Sequence, residues 1–294
     1  MDTRDDQIPQ EGVGEYPTTP VLERLPVTVD IGTHSRSLRS DVSNQDRYHV
    51  SNSDHDDILM TYVFDGHGGA YVSDKLVGIA RSIDPNINFF LGLSQLTDPN
   101  LDLKTAQELT DEIFAKIQHL FVGCGSVGST AVIGVHQKST GRVRFVHIGD
   151  SRAVWRTHQR RFQQIINHTD GETSDHKADR PDEIERVVGL GGKVIEIEGL
   201  HRVNGILAIS RAFGDLDHRP YVCSTPDLSP LMILESGDYY ILASDGVWDV
   251  ISTSQALWRL TSVPMLGARG HAIDLVNWGL HSHDDTTAIV IKLL

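Results

Sequence analysis

Cysteine is almost missing from this chain: Cys124 and Cys223 are the two among 294 residues, far apart and outside any Cys/His spacing suited to zinc. That excludes a disulfide framework and a zinc module, and points to free thiols in a reducing compartment. No apolar run is long enough to cross a bilayer, and Met1-Asp-Thr-Arg-Asp-Asp6 does not read as a signal peptide. A cytoplasmic or nuclear protein without membrane contact is therefore expected. Basic residues are in deficit, with 26 Lys and Arg against 40 Asp and Glu and a formal net charge of −14. That balance argues against nucleic acid and anionic membrane surfaces as partners. Aromatics, at 6%, are few and belong mostly to a core. Heptads, exposed apolar stripes and internal repeats are also lacking, so a monomer is expected.

What is present reads as a soluble globular protein, 39% hydrophobic and 22% charged, long enough to bury a sizeable core. Residues 1–25 are polar and interrupted by Pro9, Pro17 and Pro20, which predicts a flexible N-terminal tail. No linker divides residues 26–294. The spacing of Ala106, Leu109, Ile113, Ile117 and Leu120 predicts an amphipathic helix over 105–122, opened by a Thr105-x-x-Glu108 capping box and stopped at Gly123. Four strand-like runs follow at 130–136, 143–149, 152–156 and 162–166 with no helix between them, and connections so short require antiparallel neighbours. Pro181 opens a short helix with Ile184, Val187 and Val188 turned inward. Strands are expected near 193–197, 206–210 and 239–244, helices over 252–261 and 268–281, and a closing strand over 287–293. Runs of strands between pairs of helices mean α+β. About ten strands are too many for one open sheet, so the expected architecture is a β-sandwich of two antiparallel sheets flanked by helices on both sides.

The aspartates stand at the mouths of these strands. Asp65 ends Ile58-Leu-Met-Thr-Tyr-Val-Phe64, Asp150 ends Val143-Arg-Phe-Val-His-Ile-Gly149, Asp245 ends Tyr239-Tyr-Ile-Leu-Ala-Ser244, and Asp284 and Asp285 precede the last strand. Any one of them is an ordinary turn residue. Several converging on rigid stems would repel one another unless cations sat between them, and carboxylates suit hard divalent ions such as Mg²⁺ and Mn²⁺.

Eight segments come in order: Ser43-Asn-Gln-Asp46, Asp65-Gly-His-Gly-Gly69, Gly128-Ser-Thr-Ala131, Gly149-Asp-Ser-Arg152, Asp175-His-Lys177, Val203 through Asp215, Ala243-Ser-Asp-Gly-Val-Trp-Asp249 and His283-Asp-Asp-Thr286. Together they resemble the metal-dependent serine/threonine protein phosphatases of type 2C, from about residue 28 to the end. The resemblance implies the same sandwich and makes 26–294 a catalytic domain. It implies hydrolysis of phosphoserine and phosphothreonine in proteins by a metal-activated water at a binuclear Mn²⁺ or Mg²⁺ centre, without a covalent intermediate. Asp65 would bridge the two ions, the Gly66 carbonyl would reach one, and Asp245 and Asp284 would complete the other. Asp46 would act close to the metals, often through water. Asp150, with Asp245, would serve a weaker third ion. His67 matches a general acid for the leaving alkoxide. His176 and Asp249 are read as structural. Gly128-Ser129-Thr130 is read as a tight entry to a buried strand, and Ser210 through Asp215 as an edge of the cleft that does not react.

The chain departs from the pattern at three places. Asp41 stands where many relatives carry a phosphate-binding arginine, and Arg39 is the nearby substitute, since a guanidinium fork suits phosphate. Gln45 stands where many have Glu, and Asp285 where many have Asn. A non-catalytic scaffold of the same fold would account for the missing arginine, and a hydrolase of small phosphoesters is a third alternative.

Overall fold

The computed structural model describes residues 28–38, 43–51, 56–84, 86–161, 164–263 and 265–294. The expected tail over 1–25 and the candidate Arg39 lie outside them. The strand Ile58–Phe64 sets the plan. Its alternate residues Leu59 and Val63 pack between two sheets, while Met60, Tyr62 and Phe64 face a cluster that includes Leu76 and Phe114, on the helices Tyr71–Arg81 and Leu103–Gln118. In Tyr239–Ala243 the same period of two sends Tyr240 and Leu242 between the sheets. Tyr239, Ile241 and Ala243 turn towards the helices Thr253–Ser262 and Ala268–Trp278. Burial on both faces is why these strands read as unbroken apolar runs.

One sheet runs Val29–Arg36, Thr286–Leu293, Tyr239–Ala243, Arg152–Arg161, Gln164–Glu172. The other runs Asp227–Leu228, Arg142–Ile148, Ala131–Gln137, Ile58–Phe64, Arg47–Ser51, with Met232–Ile233 also pairing Arg142–Ile148. The pairs are antiparallel. The layers are helices, sheet, sheet, helices, as expected. A three-stranded sheet of Phe213–Gly214, Gly128–Ser129 and Gly66–His67 lies apart from them. Among the described residues no helix is long and apolar enough to cross a membrane.

Three details differ from expectation. The long helix starts at Leu103, because the Asp102 carboxylate accepts from the Thr105 N–H at 3.0 Å and from its hydroxyl at 2.6 Å. A charged acceptor one turn earlier takes the cap and leaves Thr105 inside the helix, without a capping box. The expected strand at 206–210 makes only isolated bridges, Leu207 to Val203 and Ile209 to Lys177. A hairpin of Val194–Ile197 and Leu200–Val203 forms instead. In the helix Pro181–Gly189, Val188 is exposed, and Glu183 shares the buried face with Val187, four residues on.

Glu183 is 1% exposed. Arg211 reaches its Oε1 at 3.0 and 2.6 Å, and Arg186 its Oε2 at 3.2 and 2.8 Å. Burial by itself would raise this carboxyl, but the two guanidinium forks outweigh it and hold it down to about 2. The folded value lies below the ordinary 4.5, so the stabilisation is present above that pH and is lost as pH falls towards the folded value. Glu183→Gln is expected to cost about 3–5 kcal/mol at pH 7 by urea unfolding. The gap from wild type should close as pH falls from about 4.5 to about 2.

Candidate active site

The alternation that builds the core also aims the aspartates. Asp65 continues the side of Leu59 and Val63, so its carboxylate emerges at the mouth between the sheets. Thr130 fixes its backbone, donating N–H to the Asp65 carbonyl at 2.9 Å and accepting the Asp65 N–H on Oγ1 at 3.2 Å. In the facing sheet Ser244 continues the side of Tyr240 and Leu242. Its hydroxyl donates to Asp46 Oδ2 at 2.8 Å and accepts the Thr287 N–H at 3.0 Å. Asp245 opens the short helix Asp245–Trp248, directly after that strand.

The carboxylates strain one another electrostatically. Asp65 is held well above the usual carboxylate range, first by burial and then by the charges of Asp245, Asp46, Asp150 and Asp284. Burial, followed by Asp150, Asp284 and Asp249, does the same to Asp245. Burial pushes Asp46 up to about 7 against the lowering bonds of Ser244 and Thr287. Asp284, at the rim, is raised by the same combination of burial and neighbouring charge. Asp46 Oδ1 and Asp245 Oδ1 are buried with no hydrogen-bond partner. A set of oxygen donors, two of them orphaned and all repelling, fits a hard divalent cation. One cation is already there: Lys177 Nζ donates to Asp150 Oδ2 at 2.8 Å. Burial opposes its charge, but Asp150, Asp245 and Asp249 outweigh burial and raise the ammonium.

His67 and Gly66 lie on the small sheet beside this cluster. A Cβ on Gly66 would come within 2.7 Å of Ser73 Oγ and 2.8 Å of the Gln45 carbonyl, so only glycine fits that backbone. His67, Gly66, Gly68, Gln45, Asp284 and Asp285 line a cavity of about 290 Å³. Its lining contains no arginine among the described residues. Gln45 Oε1 accepts the Gly69 N–H at 3.1 Å, and Asp285 accepts the N–H groups of Leu38 and Gln45 at 2.8 and 2.7 Å. Gln45 and Asp285, two of the departures from the family pattern, thus hold the rim in place. Asp150, Asp245, Asp65, Asp46 and Asp284 are all brought together.

Four participants were not read from the sequence. Asp215, taken as a passive edge, bonds His67. Lys177 partners Asp150, and Ser244 holds Asp46. Asp249, taken as a structural acceptor, has no donor on its carboxylate among the described residues and faces Asp150, Asp245 and Asp284. No local signal marks such partners: His67 and Asp215 are 148 residues apart. A second constellation, His147, His176 and Asp227, brings ligand-type atoms within 4.8 Å of one another. Arg180 and Arg211 already hold Asp227 at 3.2 and 2.8 Å, and the imidazoles bond the carbonyls of Ser174 and Gly149. The guanidiniums put positive charge where an ion would sit, so this is a structural network, and His176 has its expected role.

The family model for protein phosphatase 2C matches residues 30–258. Probable protein phosphatase 2C 68 of Oryza sativa subsp. japonica is 35% identical over 66% of this chain and 54% of its own length. Probable protein phosphatase 2C 45 of the same organism is 32% identical over 79% of this chain and 76% of its own length. The chain thus spans between half and about three quarters of these relatives. A crystal structure of serine-threonine phosphatase 2C from Toxoplasma gondii superposes with a TM-score of 0.70 over 92% of this chain and 98% of that one, at 22% identity, a likeness of fold.

The Asp46 carboxyl is raised from an ordinary 3.8 to about 7. Its contribution to stability is fully present below the lower value and is lost as pH rises through the upper one. In metal-free protein with chelator, Asp46→Asn is expected to be more stable than wild type by about 2–4 kcal/mol at pH 8 and equal to it near pH 4, read by urea unfolding.

Proposed function

The chain belongs to the protein phosphatase 2C family, whose members are metal-dependent, and from that premise we propose that it hydrolyses phosphoserine and phosphothreonine in proteins at a centre of two Mn²⁺ or Mg²⁺ ions, without a covalent intermediate. The observation that carries this reading is the convergence of Asp46, Asp65, Asp150, Asp245 and Asp284 at the mouth of the sandwich, each raised by burial or pressing on the others, beside a cavity lined by His67.

In this reading Asp65, the Gly66 carbonyl, Asp245 and Asp284 are the groups that would hold the ions. Such ions supply charge neutralisation of the phosphate and a lowered pKa for water. Asp46, anchored through Oδ2 by Ser244, keeps Oδ1 free to accept a hydrogen bond from the attacking water. His67 gives a proton to the departing serine or threonine oxygen. Asp150, with Asp245 and Asp249, would form a third site, where Lys177 competes with any ion. Residues 26–294 form the catalytic domain, and phosphorylated proteins are its partners. Two free cysteines support a reducing compartment such as the cytoplasm or nucleus.

Release of phosphate from a phosphothreonine peptide is expected to require Mn²⁺ or Mg²⁺, and to fall roughly a thousandfold in Asp65→Asn. A folded wild type that releases none across a range of both ions and several peptides would favour the scaffold reading. Far better turnover of a small aryl phosphate than of peptides would favour a small-phosphoester hydrolase. Separately, Mn²⁺ added to chelated protein is expected to raise Tm in proportion to the logarithm of its concentration, with the rise much reduced in Asp65→Asn.

A further inference from the structure

Asp215 has no access to solvent, yet its carboxylate has one partner: His67 Nε2 lies 2.7 Å from Oδ2, and Oδ1 is unpartnered. A buried carboxylate left with so little is expensive, and the chain goes to some length to keep it there. The small sheet places Gly128 in the middle, with His67 across from it on one side and Gly214 on the other. The bond between His67 and Asp215 passes over the bare Cα of Gly128. A Cβ there would lie 2.2 Å from Asp215 Oδ2 and 2.3 Å from His67 Nε2.

The backbone that carries Asp215 is clamped. Asp215 has φ of 50°, a left-handed conformation unfavourable for a residue with a side chain, and its N–H bonds the Val127 carbonyl at 3.0 Å. Gly214 is held on both sides by the Gln118 amide, at 2.9 and 3.1 Å. The guanidinium of Arg219 holds the carbonyls of Ala212 and Gly214, each at 3.0 Å. Strain maintained by so many bonds is typical of a functional position.

A carboxylate accepts and cannot donate, so the hydrogen between Asp215 and the ring sits on Nε2. Any second proton that the ring carries is then on Nδ1, which has no partner among the described residues, on a ring that lines the cleft. We propose that Asp215 is a positioning residue for His67, fixing ring orientation and tautomer so that Nδ1 is the nitrogen offered to substrate. This rests on the phosphatase reading. The P–O bond to the serine or threonine breaks with its electron pair on oxygen. That pair takes the proton from Nδ1, and the ring is left neutral with its hydrogen on Nε2. The logic is that of a carboxylate orienting a catalytic imidazole.

The test compares a phosphothreonine peptide, whose alkoxide needs a proton, with p-nitrophenyl phosphate, whose phenolate leaves without one. Asp215→Asn is expected to lower kcat on the peptide by roughly 10- to 100-fold with little change in KM, and to change aryl phosphate turnover by less than about threefold. His67→Gln should show the same split, and the double variant should be no slower than His67→Gln alone. Gly128→Ala removes neither group but drives a methyl between them, so it should reproduce the split in protein whose circular dichroism at the assay temperature matches wild type, with Tm lowered. Equal losses on both substrates, no loss on either, or multiplying losses in the double variant would overturn the positioning role while leaving the phosphatase reading intact. Wild type that turns over neither substrate would overturn both.

Discussion

Repulsion among buried carboxylates is the constraint around which this molecule is arranged. Asp46, Asp65, Asp150 and Asp245 gather where the two sheets open, largely withdrawn from water, with Asp284 exposed at the rim. Left to a flexible chain they would separate. They stay together because each is carried on, or bonded to, a strand whose other residues are buried on one or both faces, so that moving a carboxylate outwards would drag Leu59, Val63, Tyr240, Leu242 or Ile289 into water. Hydrophobic burial in the sandwich, about 1.5–3 kcal/mol for each large side chain, thus opposes the electrostatic cost at its mouth.

Two buried charged networks in the same chain show the difference between a site built for stability and one built for a ligand. Around Glu183 every lone pair is met by a guanidinium, and Arg211 continues the chain of bonds to Asp227. Around Asp65 the carboxylates repel one another, oxygens of Asp46 and Asp245 have no partner, and the Lys177 ammonium is bonded to Asp150. The first arrangement is complete in the protein alone, while the second leaves oxygen donors of the kind that suits a hard cation.

The small sheet has a different task. Each of its strands is two residues long, and its one large contribution to the core is Phe213, buried against Phe114 and Phe121. Its value is geometric. It sets Gly66 and His67 beside the carboxylates and brings Asp215 to the far side of the His67 ring. Glycine at 128 is the condition for this, because the imidazole and the carboxylate meet in the space where a side chain would stand.

Much of this was legible in the sequence. Apolar runs that end at Asp65, Asp150 and Asp245, or begin just after Asp284 and Asp285, gave away the strands and the carboxylates, since burial on two faces and exit at a strand end both leave a local record. The helices expected over 252–261 and 268–281 form at Thr253–Ser262 and Ala268–Trp278. Local competition misled where two signals overlapped: Asp102 took the cap expected of Thr105, and Glu183 took the buried position expected of Val188. What only the tertiary structure decided was pairing across distance. Nothing near Asp215 indicates His67, nothing near Ser244 indicates Asp46, and nothing near Lys177 indicates Asp150. Side-chain identity reports what a residue can bond, but its partner is chosen by how the sheets close, and that closure is a property of the whole core.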